Sequence, residues 1–308
     1  MSLYLNSNLT ALTSMRAAQS ATNAQDLSYQ RLATGLRINS AKDDPAGMQT
    51  SDKLTVQINS LDQTNRIAQN GISYAQTAEG AMDEIANMLQ RIRTLSVQAA
   101  TGTNTDPDRQ AIQEEVDQLN EEICRIAKDT CFGSQHILDG TASMARFQIG
   151  PEPNSIIKID LRPGFDTDNL SRLAASFYGD FSAEVPPTMT VAQFDFTSVF
   201  HFDVNGGGID ISTQSSAELV LAGIDRLISA LDRKRAELGA VQNRLESTIR
   251  NQDNISENVS ASRMRIRDTD WATEASNLAA SQVLQQGSVS ILTQANTRPQ
   301  IALQMLQM

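Results

Sequence analysis

The chain has 308 residues, a formal net charge of −11 and only 5% aromatic residues. The acidic balance argues against nucleic acid as a partner, because binding to phosphates requires a basic surface. So few aromatic residues favour slender helical bundles built from Leu, Ile, Val, Ala and Met over a thick globular core. No apolar stretch approaches the roughly 20 residues of a membrane-spanning helix, so membrane insertion is not expected.

Both ends of the chain carry the pattern of amphipathic helices. Apolar residues recur three and four positions apart in residues 1–140 and 209–308, and this spacing predicts helices that pair with one another. The first stripe consists of Leu5, Leu9, Leu12 and Met15. Residues 39–45 predict a break and a new helix start, because Ser and Asp favour N-caps and Pro suits the first turn.

The second helix is predicted to be very long. Its three-and-four rhythm runs through residues 58–95, and spacing sustained over several heptads is typical of coiled-coil packing. Leu89 and Ile92 are predicted core residues on this helix. Leu238 and Leu245 lie seven positions apart on a later helical stripe, and we expect them to be buried against the long helix.

The middle of the chain changes period. After a loop at residues 101–107, a third helix is predicted beyond Pro107. Two runs of alternating apolar residues flank residues 150–154 and predict a β-hairpin. Residues 162–208 contain Pro and Gly pairs and are predicted to be loop-like. Four aromatic residues there predict short strands or a small cluster: Phe194, Phe196, Phe200 and Phe202.

The sequence lacks the common catalytic and metal-binding motifs. It contains no G-x-S-x-G, P-loop, C-x-x-C or H-E-x-x-H pattern, so neither an enzyme, a cofactor nor a metal site is expected. Asp43 and Asp44 are interpreted as helix-capping residues rather than a metal pair. Cys124 and Cys131, if both helical, lie about 10 Å apart, too far for a disulfide. They are predicted to be small buried hydrophobic residues.

Several strings resemble a known family. Residues 30–47, QRLATGLRINSAKDDPAG, resemble the most recognisable stretch of bacterial flagellins. Residues 239–245, GAVQNRL, resemble its counterpart in the second half of those proteins, and residues 282–286 and 294–296 resemble their C-terminal end. The resemblance implies a mainly α fold: a long antiparallel helical bundle or coiled-coil rod formed by the N- and C-terminal segments, with a small β-hairpin region in the middle.

The resemblance also implies a division of the chain. Residues 1–42 with 268–308 would form a terminal coiled-coil domain in the inner filament core. Residues 43–164 with 209–267 would form a helical rod domain carrying the β-hairpin. Residues 165–208 would be a short variable insert that faces outward. A subunit of this kind self-assembles into the flagellar filament used for swimming.

Export and partners follow from the same resemblance. Flagellins leave the cell unfolded through the flagellar type III apparatus, and the start MSLYLNSNLT lacks the basic and apolar regions of a secretory signal peptide. The expected location is the extracellular flagellum. Expected partners are further copies of the chain, an export chaperone at the C-terminal segment, and the filament cap and hook-junction proteins.

Host recognition is a further expectation. Residues 90–98 resemble the segment by which many flagellins bind the flagellin-sensing toll-like receptor, and Arg91, Leu95 and Glu115 match the contact residues. Arg91 lies off the apolar stripe and is expected to be exposed. Leu95 continues the core spacing, and Glu115 also fits a solvated acidic face, so these alternatives stay open. Thr94 replaces an acidic residue that is common in the family.

The alternative to a filament subunit is a hook–filament junction protein or another secreted helical rod protein. The presence of both residues 35–47 and residues 239–245 favours the filament subunit. Residues 1–40 and 268–308 are poor in aromatic residues, and alone they bury too little apolar surface to offset chain entropy. We therefore expect them to be disordered in the monomer and helical after assembly.

Overall fold

The computed structural model describes residues 8–142, 144–178 and 209–306. The helices in this part of the chain are α1 (Leu9–Thr34), α2 (Pro45–Ala99), α3 (Asp106–Asp129), α4 (Thr167–Tyr178), α5 (Gln214–Arg267) and α6 (Trp271–Leu306). Two antiparallel strand pairs join β1 (Cys131–Phe132) to β2 (Gln135–His136), and β3 (Ala145–Gln148) to β4 (Ile156–Ile159). The prediction of a mainly α fold with a small β-hairpin region is confirmed.

The predicted break before the long helix is present, and its residues explain the sequence. Helix α1 is followed by Gly35 at φ 72°, a left-handed conformation that favours glycine. The Asp44 carboxylate accepts hydrogen bonds from the amides of Ala46 and Gly47 at 3.1 and 2.9 Å, and α2 begins at Pro45. A Cβ on Gly47 would lie 2.4 Å from Asp44 Oδ2, so the capped turn excludes a side chain there.

Asp43 stabilises the same turn from the other side. Its carboxylate accepts the backbone amides of Ser40 and Asn39 at 2.9 and 3.0 Å. These hydrogen bonds hold the pKa of Asp43 below its usual value. The lowered pKa means that this contribution is present above the unfolded-state pKa and is lost as the pH falls through the folded-state pKa.

The chain divides into two compact units. The terminal unit comprises residues 1–59 and 255–308, and the central unit comprises residues 60–254. Within the described residues, α1 and α6 belong to the terminal unit. Helices α3 and α4 and both strand pairs belong to the central unit.

The central unit has a continuous apolar core. Helices α2, α3, α4 and α5 and strand β4 all contribute buried side chains to it. Leu89, Ile92 and Leu245 are fully buried and Leu238 is almost so. Gly71 brings α5 close to α2, because a Cβ at this position would lie only 3.3 Å from Leu245 Cδ1.

The hairpin β3–β4 lies where the alternating pattern predicted it. Phe147 pairs with Ile157 across the two strands. The Phe147 ring packs edge-on against Tyr74 of α2, with ring centroids 5.7 Å apart. The Gln252 side chain of α5 donates a hydrogen bond to the Ile149 carbonyl. The hairpin is therefore fixed to both long helices of the central unit.

Helix α4 corrects the prediction that residues 162–208 are loop-like. Leu170, Leu173 and Ala174 are buried in the central core, which requires a helix to bring them to one face. The Thr167 hydroxyl donates a hydrogen bond to Asn120 Oδ1 at 2.5 Å, which ties α4 to α3. The four phenylalanines at positions 194–202 and the glycines at 206–208 lie outside the described residues.

A side-chain clamp from α3 holds the chain at residues 209–211. The Gln113 amide of α3 donates to the Ile209 carbonyl at 2.8 Å, and its carbonyl accepts from the Ile211 amide at 2.7 Å. Both isoleucines are fully buried. One side chain therefore satisfies two backbone groups as a neighbouring strand would.

The interpretation of the cysteines is wrong for Cys131. Helix α3 ends at Asp129, so Cys131 lies on β1, where its side chain is exposed. Cys124 stays on α3, is half-buried, and has a thiol pKa raised by burial. The helical spacing on which the prediction depended ends before the second cysteine. Both thiols are free.

Candidate functional site

The first candidate surface is the antiparallel pair of α1 and α6. Asn8 donates to the Ala295 carbonyl at 2.8 Å, and Ser28 donates to Glu274 at 2.6 Å, so the two helices run in opposite directions. Their Cα atoms come within 8 Å of each other along the pair. This close approach depends on small residues at the contact. The least exposed residues of the pair are Ser14, Ala21, Ser28, Glu274, Ser281 and Ala295.

Several large apolar side chains of the pair lie outside the contact, although Leu32, Leu278 and Leu292 are half-buried. Leu9 is 71% exposed and Leu284 is 64% exposed. The predicted stripe on α1 therefore does not face α6, and its Leu5 lies outside the described residues. We call the exposed non-aromatic members of this set the outer apolar face, and they are Leu9, Leu12, Met15, Val283, Leu284, Val289 and Ile291; the aromatic Tyr29 and Trp271 are exposed as well. Exposed apolar patches are typical of protein interaction sites, which makes this set a candidate.

Backbone hydrogen bonds join residues 35–37, which follow α1, to residues 267–269, which precede α6. We call this connection the backbone clip. The Arg37 amide donates to the Arg267 carbonyl at 2.7 Å, and the Thr269 amide donates to the Gly35 carbonyl at 2.9 Å. Leu36 and Asp268 form an antiparallel bridge between these bonds. Sequence reasoning missed the clip, because helical periodicity carries no signal for a two-residue bridge between distant segments.

The second candidate surface surrounds Arg91 on α2. Its Nε and Nη2 atoms donate to Glu115 Oε1 of α3 at 2.9 and 2.7 Å. The Arg91 side chain is 56% exposed, as its position off the apolar stripe predicts. Leu95 is only 3% exposed and belongs to the core. Of the three predicted contact residues, Arg91 and Glu115 are thus available to a partner, and Leu95 supports the helix beneath them.

In residues 8–142, 144–178 and 209–306, no three His, Cys, Asp or Glu side chains are grouped so that they could hold a metal ion. None of the helices in that part of the chain is long and apolar enough to cross a membrane.

Comparison with known proteins decides the family. The family model of the bacterial flagellin N-terminal helical region matches residues 5–143, and that of the C-terminal helical region matches residues 221–306. The chain belongs to the bacterial flagellin family. Both matched regions include a helix of the outer apolar face, and the N-terminal region includes Arg91 and Glu115.

Curated relatives agree along the whole chain. Flagellin B of Vibrio anguillarum is 36% identical over 375 aligned residues, which cover 99% of this chain and 100% of the relative. Flagellin D of Vibrio cholerae serotype O1 is 37% identical over 377 residues, with the same coverage. Both alignments are longer than this flagellin, which has 308 residues, so the relatives carry additional residues.

A solved structure supports the fold alone. A protein described as flagellar hook-associated, from Vibrio parahaemolyticus, aligns with a TM-score of 0.52 at 14% identity. The alignment covers 73% of this chain and 99% of that chain.

Family membership makes this flagellin a structural protein rather than an enzyme. It is a subunit that assembles into the extracellular flagellar filament.

Proposed function

We propose that the outer apolar face of the terminal unit is the surface through which subunits of this flagellin join in the filament. One observation carries the proposal: the most buried residues of the helix pair are mostly Ser and Ala, whereas the large side chains of the outer apolar face are exposed. Burying a large aliphatic side chain contributes about 1.5–3 kcal/mol. Contact between subunits recovers this free energy, whereas the isolated chain does not.

Substitution of Leu284 tests the joining surface. Leu284→Asp places a charge on the outer apolar face without removing a buried contact, so we expect the critical concentration for polymerisation to rise at least tenfold. Gln286→Asp is the matched control. Gln286 is also exposed on α6, so this substitution adds the same charge at a polar position. Equal polymerisation of Leu284→Asp and wild type, measured by sedimentation and electron microscopy, would reject the surface.

The same arrangement supports folding of the terminal unit upon assembly. The contact between α1 and α6 buries mostly Ser and Ala, so it offsets little of the entropy lost on ordering two long helices. We expect amides of residues 9–34 to exchange rapidly in the monomer and slowly in the filament. Hydrogen exchange read by mass spectrometry checks this, and strong protection of that segment in the monomer would contradict it.

A terminal unit that buries little apolar surface is compatible with export of the unfolded chain and with binding of export partners. We infer that the chain passes unfolded through the flagellar type III apparatus. An export chaperone would cover the apolar residues of α6 before assembly. The filament cap and hook-junction proteins would meet the same terminal helices. This proposal rests on the exposure of Val283, Leu284 and Ile291, which need a cover whenever they are outside the filament.

The Arg91 surface supports recognition of the monomer by the flagellin-sensing toll-like receptor. Its guanidinium is held in place by Glu115 yet more than half exposed. An arginine in this setting can exchange or share its charge-assisted hydrogen bonds with a partner. Leu95 contributes by packing beneath the surface rather than by contact.

Replacement of Arg91 tests receptor recognition. Arg91→Ala should reduce receptor activation by folded monomer at least tenfold in a reporter-cell assay, because the anchoring guanidinium is lost. Arg125→Ala is the matched control: the Arg125 side chain on α3 is 58% exposed, pairs with Glu122 at 2.6 Å and lies outside residues 90–98. Equal activity of wild type and Arg91→Ala would remove Arg91 from the site. Inactive wild type would reject recognition altogether.

A hook–filament junction role receives less support. The resemblance to the hook-associated structure is confined to the fold at 14% identity. The flagellin relatives, in contrast, cover 99% of this chain. Long tubes formed by the purified protein alone would favour the filament subunit.

A further inference from the structure

The hairpin β1–β2 lies exposed on the central unit, directly after α3. Helix α3 ends at Asp129, and residues 131–136 are all exposed. Gly133 in the turn has φ 65°, a left-handed conformation that favours glycine. The Phe132 ring packs edge-on against Tyr74 of α2, with ring centroids 5.6 Å apart. One face of the hairpin is therefore held against α2.

The opposite face of the hairpin carries Cys131 and His136, which are direct cross-strand neighbours. The Ile137 amide donates to the Thr130 carbonyl at 3.1 Å. Hydrogen-bonded and non-hydrogen-bonded pairs alternate along an antiparallel ladder, so the next pair, Cys131 and His136, is non-hydrogen-bonded. Side chains are closest at such positions. Because side chains alternate between the faces of a strand, this pair lies opposite Phe132.

The His136 ring is oriented by the last turn of α3. Its Nδ1 lies 2.6 Å from the Lys128 carbonyl oxygen. A carbonyl oxygen only accepts, so Nδ1 carries the proton and donates it, and in the neutral ring the lone pair is at Nε2. Histidines that ligate metals are commonly held in this way, with the other ring nitrogen donating to a carbonyl or carboxylate. His136 thus offers Nε2 to a ligand beside Cys131, whose thiol is free and exposed.

A thiolate and an imidazole nitrogen are the ligands that Zn²⁺ prefers in structural sites. Such sites are tetrahedral and take four protein ligands, so one hairpin supplies half of a set. Within residues 8–142, 144–178 and 209–306, no third His, Cys, Asp or Glu side chain joins the pair. The missing ligands therefore have to come from another molecule.

A second copy of the chain supplies the matching half. Two Cys–His pairs together make Cys₂His₂, one of the common ligand sets of closed zinc sites. The exposure of residues 131–136 leaves two hairpins free to approach each other.

We propose that Cys131 and His136 form half of a zinc site, which the same two residues of a second copy of the chain complete. Each thiol binds as a thiolate and releases its proton to solvent. The inference goes beyond the proposed function and does not rest on it, because the hairpin belongs to the central unit and lies outside the outer apolar face.

Native mass spectrometry of the reduced, unpolymerised full chain tests the site with Zn²⁺ alone as the ligand. We expect a species of two chains and one zinc ion, which EDTA separates into single chains. Co²⁺ in place of Zn²⁺ should give the visible absorption of a tetrahedral ion with thiolate ligands. Chains that stay single, or that bind one zinc ion each without pairing, overturn the proposal.

The other cysteine and the other histidine of the chain provide matched controls, since the sequence contains two of each. Cys131→Ser and His136→Gln should each reduce the zinc-bound dimer at least tenfold. Cys124→Ser and His201→Gln should leave it unchanged. A dimer that persists without the Cys131 thiol or the His136 imidazole rejects these ligands, and loss of the dimer in either control assigns the zinc elsewhere and also rejects the site.

Chemical blocking keeps the test independent of folding. Alkylation of Cys131 with iodoacetamide in the folded Cys124→Ser chain removes the thiolate without a substitution in the hairpin. It should abolish the zinc-bound dimer, while thermal unfolding of the central unit keeps its midpoint because Cys131 is exposed. Pairing of fully alkylated chains by zinc would overturn the proposal.

Discussion

Replacing Leu245 with alanine should lower the free energy of unfolding of the central unit by about 2–5 kcal/mol. Leu245 is fully buried on α5. Leu245 packs against Gly71 of α2, which has no side chain. Phe147 of the hairpin packs against the same glycine, since a Cβ on Gly71 would lie 3.2 Å from Phe147 Cγ. The truncation therefore leaves a cavity where three elements meet. Chemical denaturation followed by circular dichroism measures the change.

Val97→Ala is the control for this experiment. Val97 lies on α2 with 47% of its side chain exposed, so its truncation should change stability by no more than about 0.5 kcal/mol. A near-zero effect of Leu245→Ala would contradict the burial of Leu245 in the core. A large effect of Val97→Ala would show that exposed positions on α2 also contribute to stability.

Deletion of residues 289–308 should abolish filament growth while leaving the central unit folded. The deletion removes Val289 and Ile291 from the outer apolar face. It also removes Ala295, whose carbonyl accepts the hydrogen bond from Asn8. The central unit, residues 60–254, lies entirely outside the deleted segment. Its melting transition should therefore keep its midpoint.

Two measurements decide this prediction together. Electron microscopy under polymerising conditions should show filaments from the full chain and none from the truncated chain. Thermal unfolding should show the same central transition in both. Filaments from the truncated chain would contradict a role for this end of α6 in growth. A lost central transition would mean that the two units depend on each other for folding.

The central unit was largely predictable because large apolar side chains decide its packing. The three-and-four rhythm of α2 and α5 identifies core residues such as Ile92 and Leu245, and both are fully buried. The alternation of apolar and polar residues on either side of residues 150–154 identifies the β3–β4 hairpin. In these elements the residues with most area to bury are also those that face the core, so periodicity and structure agree.

The terminal unit was harder to predict, for a physical reason. Periodicity reveals that α1 has an apolar side, with Leu9 and Leu12, but not what covers that side. Within one chain, α6 covers Ser14 and Ala21 instead, because small residues allow the closest approach of two helices. The apolar side stays exposed in the single chain, and in the proposed function a second copy of the chain covers it.

Helix α4 shows how local signals misled. Pro163 and Gly164 indicated an irregular segment, and that interpretation was extended too far along the chain. Leu170, Leu173 and Ala174 carried the helical spacing, and they are buried. The long-range contacts that fix α4, such as the bond from Thr167 to Asn120, have no counterpart in local sequence.

At the Arg91 surface the sequence predicted which side chains are exposed and buried, but not the hydrogen bonds between them. The exposure of Arg91 and the burial of Leu95 both follow from helical spacing around Ile92. The hydrogen bonds from Arg91 to Glu115 join residues 24 positions apart on different helices. No periodic pattern predicts them, because they depend on how α3 returns along α2.

The clamp at Gln113 holds one end of residues 179–208 on the central unit. Helix α4 ends at Tyr178 and the chain is held again at Ile209 and Ile211, so both attachment points of residues 179–208 belong to the same unit. Because Gln113 supplies the hydrogen bonds at Ile209 and Ile211, this attachment depends on α3 rather than on the residues that precede it in the chain.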